Sequence, residues 1–423
     1  MSDTSLKRQS RLVIPSSGID IERRADHRLV DLSKLGFMPE IAGGAQGYNQ
    51  TGDIITQTVD GRSLNELWTD YQAALAQYNA DRDRLLSSLT FNVTQVIEDV
   101  FQGGDVANFE RASEFGVPVG IRAAVPTYFS LGYQFDWWDL AVRYTWMFLA
   151  DADSRQVDIL ANMAMEADNR LMFNWIMSAI FNNVTRTSTI NGQNYNVFPI
   201  YNGDTTVPPR YKNNVFGTGH QHFLASGAAT IDSGDLTGTG SMYDHLQHHG
   251  YSWQEGTSVV LLVNSAQMPV IRTFRAGLGS PPAEYDFITA QGAPTWQLSD
   301  DDIINLIDRP TAAPPGSIGG LTVEGRYGPM LVVVDDSIPS GYMVMFASGG
   351  SLNARNLVGI REHANSSLRG LRLVKGPDND YPLIDSYYQR GFGTGIRQRG
   401  AAVVMKITAG AYTIPAAYDP ANL

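Results

Sequence analysis

The stretch that decides the architecture runs from Phe109 to Asn183. It opens with Phe109-Glu110-Arg111-Ala112-Ser113-Glu114-Phe115-Gly116, a charged entry. An excursion marked by Pro118, Gly120, Pro126 and Gly132 follows, set between apolar and aromatic residues. Proline and glycine at that density exclude a continuous helix and predict strands joined by turns. The closing run, Trp137 to Leu149, is aromatic-rich and β-prone. Asp153 or Ser154 then caps a helix predicted to reach Phe181, with Val157, Leu160, Ala161, Ala164, Leu171, Trp175 and Ala179 recurring at helical spacing. At 1.5 Å per residue that helix is on the order of 40 Å long. A protruding hairpin feeding a long spine helix suits a flat tile with an arm better than a compact enzyme.

The bulk numbers agree with a tile. The 423 residues are enough for two or three domains, yet only 17% are charged and 10% are aromatic. Few charges and many aromatics fit a surface covered by neighbours; a large core under a lightly charged monomer surface is the plainer alternative. The net charge of −12 argues against a general nucleic-acid binder, which needs clustered cations. It does not argue against a container, whose acidic or neutral wall lets DNA slide. The cations are 26 Arg against five Lys, and Arg is the better residue for bidentate, desolvated pairing. Without cysteine there are no disulfides or thiolate metal sites. The N-terminus lacks an apolar signal core, and Leu171 to Phe181 is short and broken by Asn174 and Ser178, so no membrane span is expected.

Outward from the deciding stretch, residues 1–60 read as an extended arm with Pro15, Pro39 and Gly43-Gly44. An arm this polar is expected to be held by a neighbouring subunit. Ser63 and Glu66 form a capping box for a helix carrying Leu64, Leu67, Trp68, Tyr71, Leu75 and Tyr78, and Leu85, Leu86 and Leu89 resume it. A second short helix is predicted over Val93–Phe101. Beyond the spine helix, Asn191-Gly192 and Asn202-Gly203 signal hairpins, and Met242 to His249 reads as one or two helical turns. From Thr257 the pattern turns to β, with Ser258–Asn264, Leu321–Glu324, Met330–Val334, Tyr342–Phe346 and Leu357–Arg361 as strands. Short helices are expected at Met268–Ala276 and Asp300–Ile307, and a last strand system runs over Tyr387–Ile407.

Four runs in this order resemble the major capsid (hull) proteins of tailed double-stranded-DNA phages. They are Asp60 to Trp68, Phe109 to Gly116 with Pro118, Glu166-Ala167-Asp168-Asn169-Arg170, and Arg390 to Val404. The order of parts carries the resemblance, which spans nearly the whole chain. It implies an α+β fold of the Hong Kong phage type with N-arm, E-loop, spine-helix P-domain and A-domain. The matching divisions are an arm at 1–60, a capped helical segment at 61–104, the E-loop and return strand at 105–150, the P-domain at 151–254, the A-domain at 255–385, and a final P-domain strand and tail at 386–423. It further implies many copies packed as hexamers and pentamers in an icosahedral shell around double-stranded DNA bound without sequence preference. Scaffold, portal and decoration proteins are the other implied partners, with assembly in the bacterial host cytoplasm and no cofactor. Glu110, Glu114, Arg122, Trp137, Arg390, Arg397 and Arg399 are the residues expected at inter-subunit contacts, and Lys7, Arg8 and Arg11 are expected to form a lumen-facing basic arm. Some members cleave an N-terminal scaffolding segment; a chain beginning at Met1 suggests that this one does not. Some members also join subunits by an isopeptide bond from an E-loop lysine, and this chain has no lysine between 105 and 150.

Three other patterns carry chemistry. Five of the seven histidines, His220, His222, His245, His248 and His249, fall within 30 residues, with Asp244 as an adjacent carboxylate. His-x-His and i, i+3/i+4 spacings suit zinc, but no His-Glu-x-x-His base motif accompanies them, and ordinary surface histidines are the plainer reading. Gly391, Gly393 and Gly395 open onto a strand rather than a helix, so a bend or bulge is expected and not a phosphate loop. Arg397 and Arg399, two apart in the following strand, are expected to share one face. Asp300 to Asp302 and Asp335-Asp336 suit helix starts and turns better than an acid/base pair. The same residues also suit two rivals to the phage reading: an encapsulin-type nanocompartment shell, and a metal-dependent enzyme built on the histidines.

Overall fold

The computed structural model describes residues 57–80, 84–101, 111–112, 114–117, 128–290, 316–318, 321–375 and 383–423. Most of the arm, with Lys7, Arg8 and Arg11, lies outside the described residues, as do Glu110, Arg122 and Asp300 to Asp302. In chain order the first elements are α1 (Leu64–Ala80), α2 (Arg84–Leu89), β1 (Thr90–Val93), β2 (Ile97–Phe101), β3 (Tyr128–Gly132), β4 (Asp136–Thr145), α3 (Trp146–Asp151) and α4 (Ser154–Phe181). Then come β5 (Arg186–Ile190), β6 (Gln193–Val197), β7 (Phe223–Ala225), α5 (Ser233–Leu236), α6 (Met242–His248), β8 (Ser258–Val263), α7 (Met268–Ile271) and β9 (Phe287–Thr289). The rest are β10 (Ser317–Ile318), β11 (Leu321–Thr322), β12 (Gly325–Tyr327), β13 (Met330–Val334), β14 (Tyr342–Ser348), β15 (Val358–Glu362), β16 (Arg372–Lys375), β17 (Leu383–Ile396) and β18 (Ala402–Lys406).

The spine helix α4 forms where the sequence places it. Asp153 and Gln156 make a reciprocal capping box, and 28 residues follow, about 42 Å of helix. Val157, Ala161, Ala164, Asp168, Met172 and Ile176 trace its buried face, and the last turn, Ile176 to Phe181, is enclosed on every side. Helix α1 lies against it, with Tyr71 donating to Asp158 and Tyr78 to Asp168, each at 2.8 Å. Asp60, just before α1, accepts from the Ser154 hydroxyl at 2.6 Å and so ties the preceding loop to the N-terminus of α4. Ser63 accepts from the Asn65 amide at 3.3 Å.

Two sheets dominate the described residues. One is five-stranded: β17 pairs along one edge with β15 and β16 and along the other with β4, and β1 adds in parallel to β15. The other is seven-stranded in the order β7-β18-β14-β8-β13-β12-β9. Alternate residues of its central strands feed two separate cores. Val260, Leu262, Val344, Phe346, Ala402 and Val404 pack with Ile176, Ile180 and Phe181 of the spine helix. Leu261, Val263, Met343, Met345, Val403 and Met405 pack with Met242, Leu246, Ile271 and Phe274 on the opposite face. Burial on both faces explains why these strands read as unbroken apolar runs rather than alternating ones.

The structure corrects several expectations. Val93–Phe101 is not a helix; it divides between β1 and β2, where Val93 pairs with Arg361 and Val100 with Phe129. The β-branched Val93, Ile97 and Val100 fit those ladders, whose partners are distant in sequence. The β-prone run from Trp137 stops at Thr145, whose hydroxyl accepts from the Phe148 amide and starts α3. Strand β17 passes straight through its glycines, with Gly391 opposite Trp137, Gly393 opposite Arg361 and Gly395 opposite Gly359. A side chain at Gly393 would put its Cβ 1.6 Å from the Gln134 carbonyl oxygen, and Gly391 and Gly395 lie under the rings of Trp137 and Tyr133, so these glycines admit close neighbours instead of making a bulge. The last strand system is two strands in different sheets, and Arg397 and Arg399 sit in the connection between them, not on one strand face.

Candidate assembly surface and histidine cluster

The arginines of the Arg390–Val404 run each meet a carboxylate of the same chain. Arg390 pairs with Asp168 of the spine helix, 222 residues away, with both side chains buried. Asp168 is pushed up by burial and pulled back by Arg390 and by the Tyr78 hydroxyl. Thus two of the runs that carried the resemblance, Glu166 to Arg170 and Arg390 to Val404, close on each other. Arg397 pairs with Glu98 at 2.7 Å, and Tyr133 donates to the other oxygen of that carboxylate at 2.8 Å. Arg399 is the most enclosed, with a side chain 3% exposed. It donates to Asp204 at 2.7 Å, to Thr206 at 2.6 Å and to the Pro199 carbonyl at 2.7 Å, and lies over the Tyr201 ring at 4.5 Å. Sequence reasoning had no sight of Asp204, although the Asn202-Gly203 turn that presents it was legible; Gly203 adopts φ 76° there.

Several large apolar side chains remain exposed. Phe115 and Val117 are each 93% exposed, and Glu114 beside them is exposed too. Trp137 is 48% exposed at the start of β4, against the edge of Phe135 and under Arg372. Leu140, Met147, Ile159 and Met163 are exposed as well, the last two one turn apart on α4. No helix among the described residues is long and apolar enough to cross a membrane.

The histidines divide. His222 lies in an extended link whose amide donates to the Tyr201 carbonyl at 2.6 Å and whose carbonyl accepts from Val404 at 2.9 Å. His249 caps the C-terminus of α6, its ring flat on Gly400 and stacked on Phe216 at 4.3 Å. His220, His222 and His249 bring their Nε2 atoms within 2.8–3.1 Å of one another. Burial, reinforced by the neighbouring histidines, pushes His220 down to about 4, His249 down to about 3 and His222 well below its ordinary value. His245 donates to, or accepts a proton's share from, no ring of the trio; its Nδ1 faces the Ser241 carbonyl at 2.8 Å. Asp244, the carboxylate considered as a ligand, turns away to the Gly240 amide and to His248. Asp335 and Asp336 cap turns, accepting from the Ser337 and Ser265 amides.

No protein-family profile matches the chain, and no curated protein does. Among solved structures, the chain is 41% identical to one described as Mycobacterium phage Patience, over 89% of this chain and 98% of that one, with a TM-score of 0.69. The chain belongs to the major capsid (hull) proteins of tailed double-stranded-DNA bacteriophages, and its fold is the mixed helix-and-sheet fold of that family. It is a structural protein of a phage capsid. Likenesses to the bacteriophage PhiM1 mature capsid (10% identity, 78% of this chain and 88% of that one, TM-score 0.43) and to the holo-SrpI encapsulin complex from Synechococcus elongatus (13%, 81% and 97%, 0.37) are too weak to add to that assignment.

Proposed function

We propose that this chain assembles as hexamers and pentamers into an icosahedral shell that encloses double-stranded DNA. The observation that supports this most is the pair Phe115 and Val117, left 93% exposed in the segment assigned to the E-loop. Exposed apolar side chains grouped together mark surfaces that gain by being covered, and a second copy of the chain supplies such a cover. Trp137, Leu140, Met147, Ile159 and Met163 extend the same argument along β4, α3 and α4. The E-loop and arm lie across adjacent subunits in this reading, burying more area than a transient contact.

Glu114 and Trp137, with Glu110 and Arg122 in the same loop, are proposed as contacts between subunits. Arg390, Arg397 and Arg399 already hold carboxylates of their own chain, so any part they take across an interface is through the surfaces those pairs brace. The basic residues Lys7, Arg8 and Arg11 are proposed to face the lumen and its DNA. Scaffold, portal and decoration proteins complete the proposed partner set, and assembly takes place in the bacterial host cytoplasm. Sedimentation of the expressed chain tests the reading. Shells or capsomers run far ahead of a 46.3 kDa chain; a single slow boundary at every concentration would refute assembly by this chain alone.

A further inference from the structure

We propose that His220, His222 and His249 form a site for a divalent transition-metal ion, zinc by ligand chemistry, that staples the link before β7 to the end of α6. The proposal rests on the three Nε2 atoms, whose separations are 2.9 Å (His220–His222), 2.8 Å (His220–His249) and 3.1 Å (His222–His249). Each distance is within hydrogen-bond range, yet hydrogen bonds cannot satisfy all three. A hydrogen bond needs one N–H and one lone pair, and each Nε2 offers one or the other. Three atoms in a triangle cannot alternate, so at least one edge always joins two like groups.

The partner of His222 fixes the role of that nitrogen, and a conflict remains whichever way the other two rings turn. Its Nδ1 lies 2.6 Å from the Ala402 carbonyl, which only accepts, so the proton of the neutral ring sits on Nδ1. Nε2 of His222 is therefore a bare lone pair, on a side chain that is fully buried. If His220 and His249 both donate to it, their two N–H groups confront each other across 2.8 Å. If either presents its lone pair, that lone pair faces the one on His222. A cation removes the conflict, because all three nitrogens then act as lone-pair donors to one centre. A metal about 2.0–2.1 Å from each nitrogen, the usual zinc–imidazole length, sits about 1.1 Å out of the plane of the triangle. Neutral imidazole is the ligand that suits zinc and its neighbours in the series.

The surroundings are those of a built site. The Ala402 carbonyl orients His222 through its far nitrogen, as outer-shell acceptors do for metal-bound histidines. His249 is clamped between Phe216 at 4.3 Å and Tyr201 at 5.5 Å, with the rings nearly parallel. Three protein ligands leave a fourth position open. Water is the candidate for it, since the Nδ1 of His245 is taken by the Ser241 carbonyl at 2.8 Å. The staple joins segments 27 residues apart, next to the seven-stranded sheet. Its role is structural, and it holds whether or not the chain forms shells.

The test uses the untagged full-length chain, purified without metal resin, and zinc and cobalt chlorides as probes. After dialysis, about one zinc per chain is expected to remain by elemental analysis, as one three-ligand centre requires. Cobalt(II) in its place is expected to give the intense visible bands of a tetrahedral centre. Chelation should lower the thermal midpoint by several degrees, reversed by zinc. His220→Ala and His249→Ala should lose the metal and the response, while His248→Ala keeps both. No retained zinc and no cobalt bands in the wild-type chain would overturn the proposal, even if the variants fail to fold. Retention unchanged in His220→Ala and His249→Ala would overturn it too. Wild-type shells that retain no zinc by elemental analysis would refute this site and leave the capsid reading standing.

Discussion

Arg399 and Asp204 meet at 2.7 Å although 195 residues separate them in sequence, and the contact fixes the connection between β17 and β18 onto the loop after Tyr201. Both side chains are largely withdrawn from water. Removing one member of such a pair strands a buried charge, which costs about 3–5 kcal/mol. Arg399→Ala is expected to lower subunit stability by that amount in denaturant titration, and Asp204→Asn by less, because the amide still accepts a hydrogen bond. The double variant should be less destabilised than the sum. Strict additivity would show that the pair is not coupled.

Asp60 gives the chain an acid-sensitive joint. Hydrogen bonds from Ser154 and Thr58 favour its charged form and hold its carboxyl at about 2, against an ordinary 3.8. A depressed carboxylate contributes stability that is complete above its unfolded value and lost as pH falls through its folded one. Thermal midpoints should therefore drop as pH falls from about 4 to about 2, and Asp60→Asn should flatten that part of the curve. An identical slope in the variant would place the acid response elsewhere.

Gly393 is predicted to tolerate no side chain. Its Cβ would lie 1.6 Å from the Gln134 carbonyl oxygen, a backbone atom of a residue whose own amide donates to the Thr394 carbonyl at 3.3 Å. Gly393→Ala should abolish the soluble folded chain, whereas Gly217→Ala, with nothing within 4 Å, should fold normally. Circular dichroism and soluble yield decide it; a well-folded Gly393→Ala would contradict the close packing described here.

What the sequence revealed follows from the range of the interactions involved. The spine helix was legible because its capping box, Asp153 with Gln156, and its apolar stripe are local. So was the β5–β6 turn, where Asn191 and Gly192 adopt φ of 51° and 77°. Val93–Phe101 was misread because its strand character comes from Arg361 and Phe129, far away in sequence. The spacing of the histidines hinted at a cluster but did not say that His249 joins His220 and His222 while His248 turns to Asp244. The glycines of β17 were seen, but the backbone they admit, at Gln134, was not.

Covalent stapling of subunits is predicted to be absent. An isopeptide bond needs a deprotonated lysine amine, and 105–150 contains none. Of the five lysines, Lys212 is held protonated by Glu255 at 2.6 Å, and Lys406 donates to Thr413. Mature shells boiled in detergent should run as single chains; a ladder of covalent oligomers would contradict this and direct attention to Lys34 or Lys375.

The exposed apolar residues of the E-loop segment and of β4 are predicted to meet other copies of this chain. Electron microscopy of the expressed protein, alone and with Phe115→Asp and Val117→Asp together, tests it most directly. The wild-type chain is predicted to form closed shells or capsomers with five-fold and six-fold symmetry. The double variant should remain a folded subunit of unchanged melting temperature that forms neither. Uniform small particles from the wild-type chain, or shells undiminished in the variant, would contradict the account.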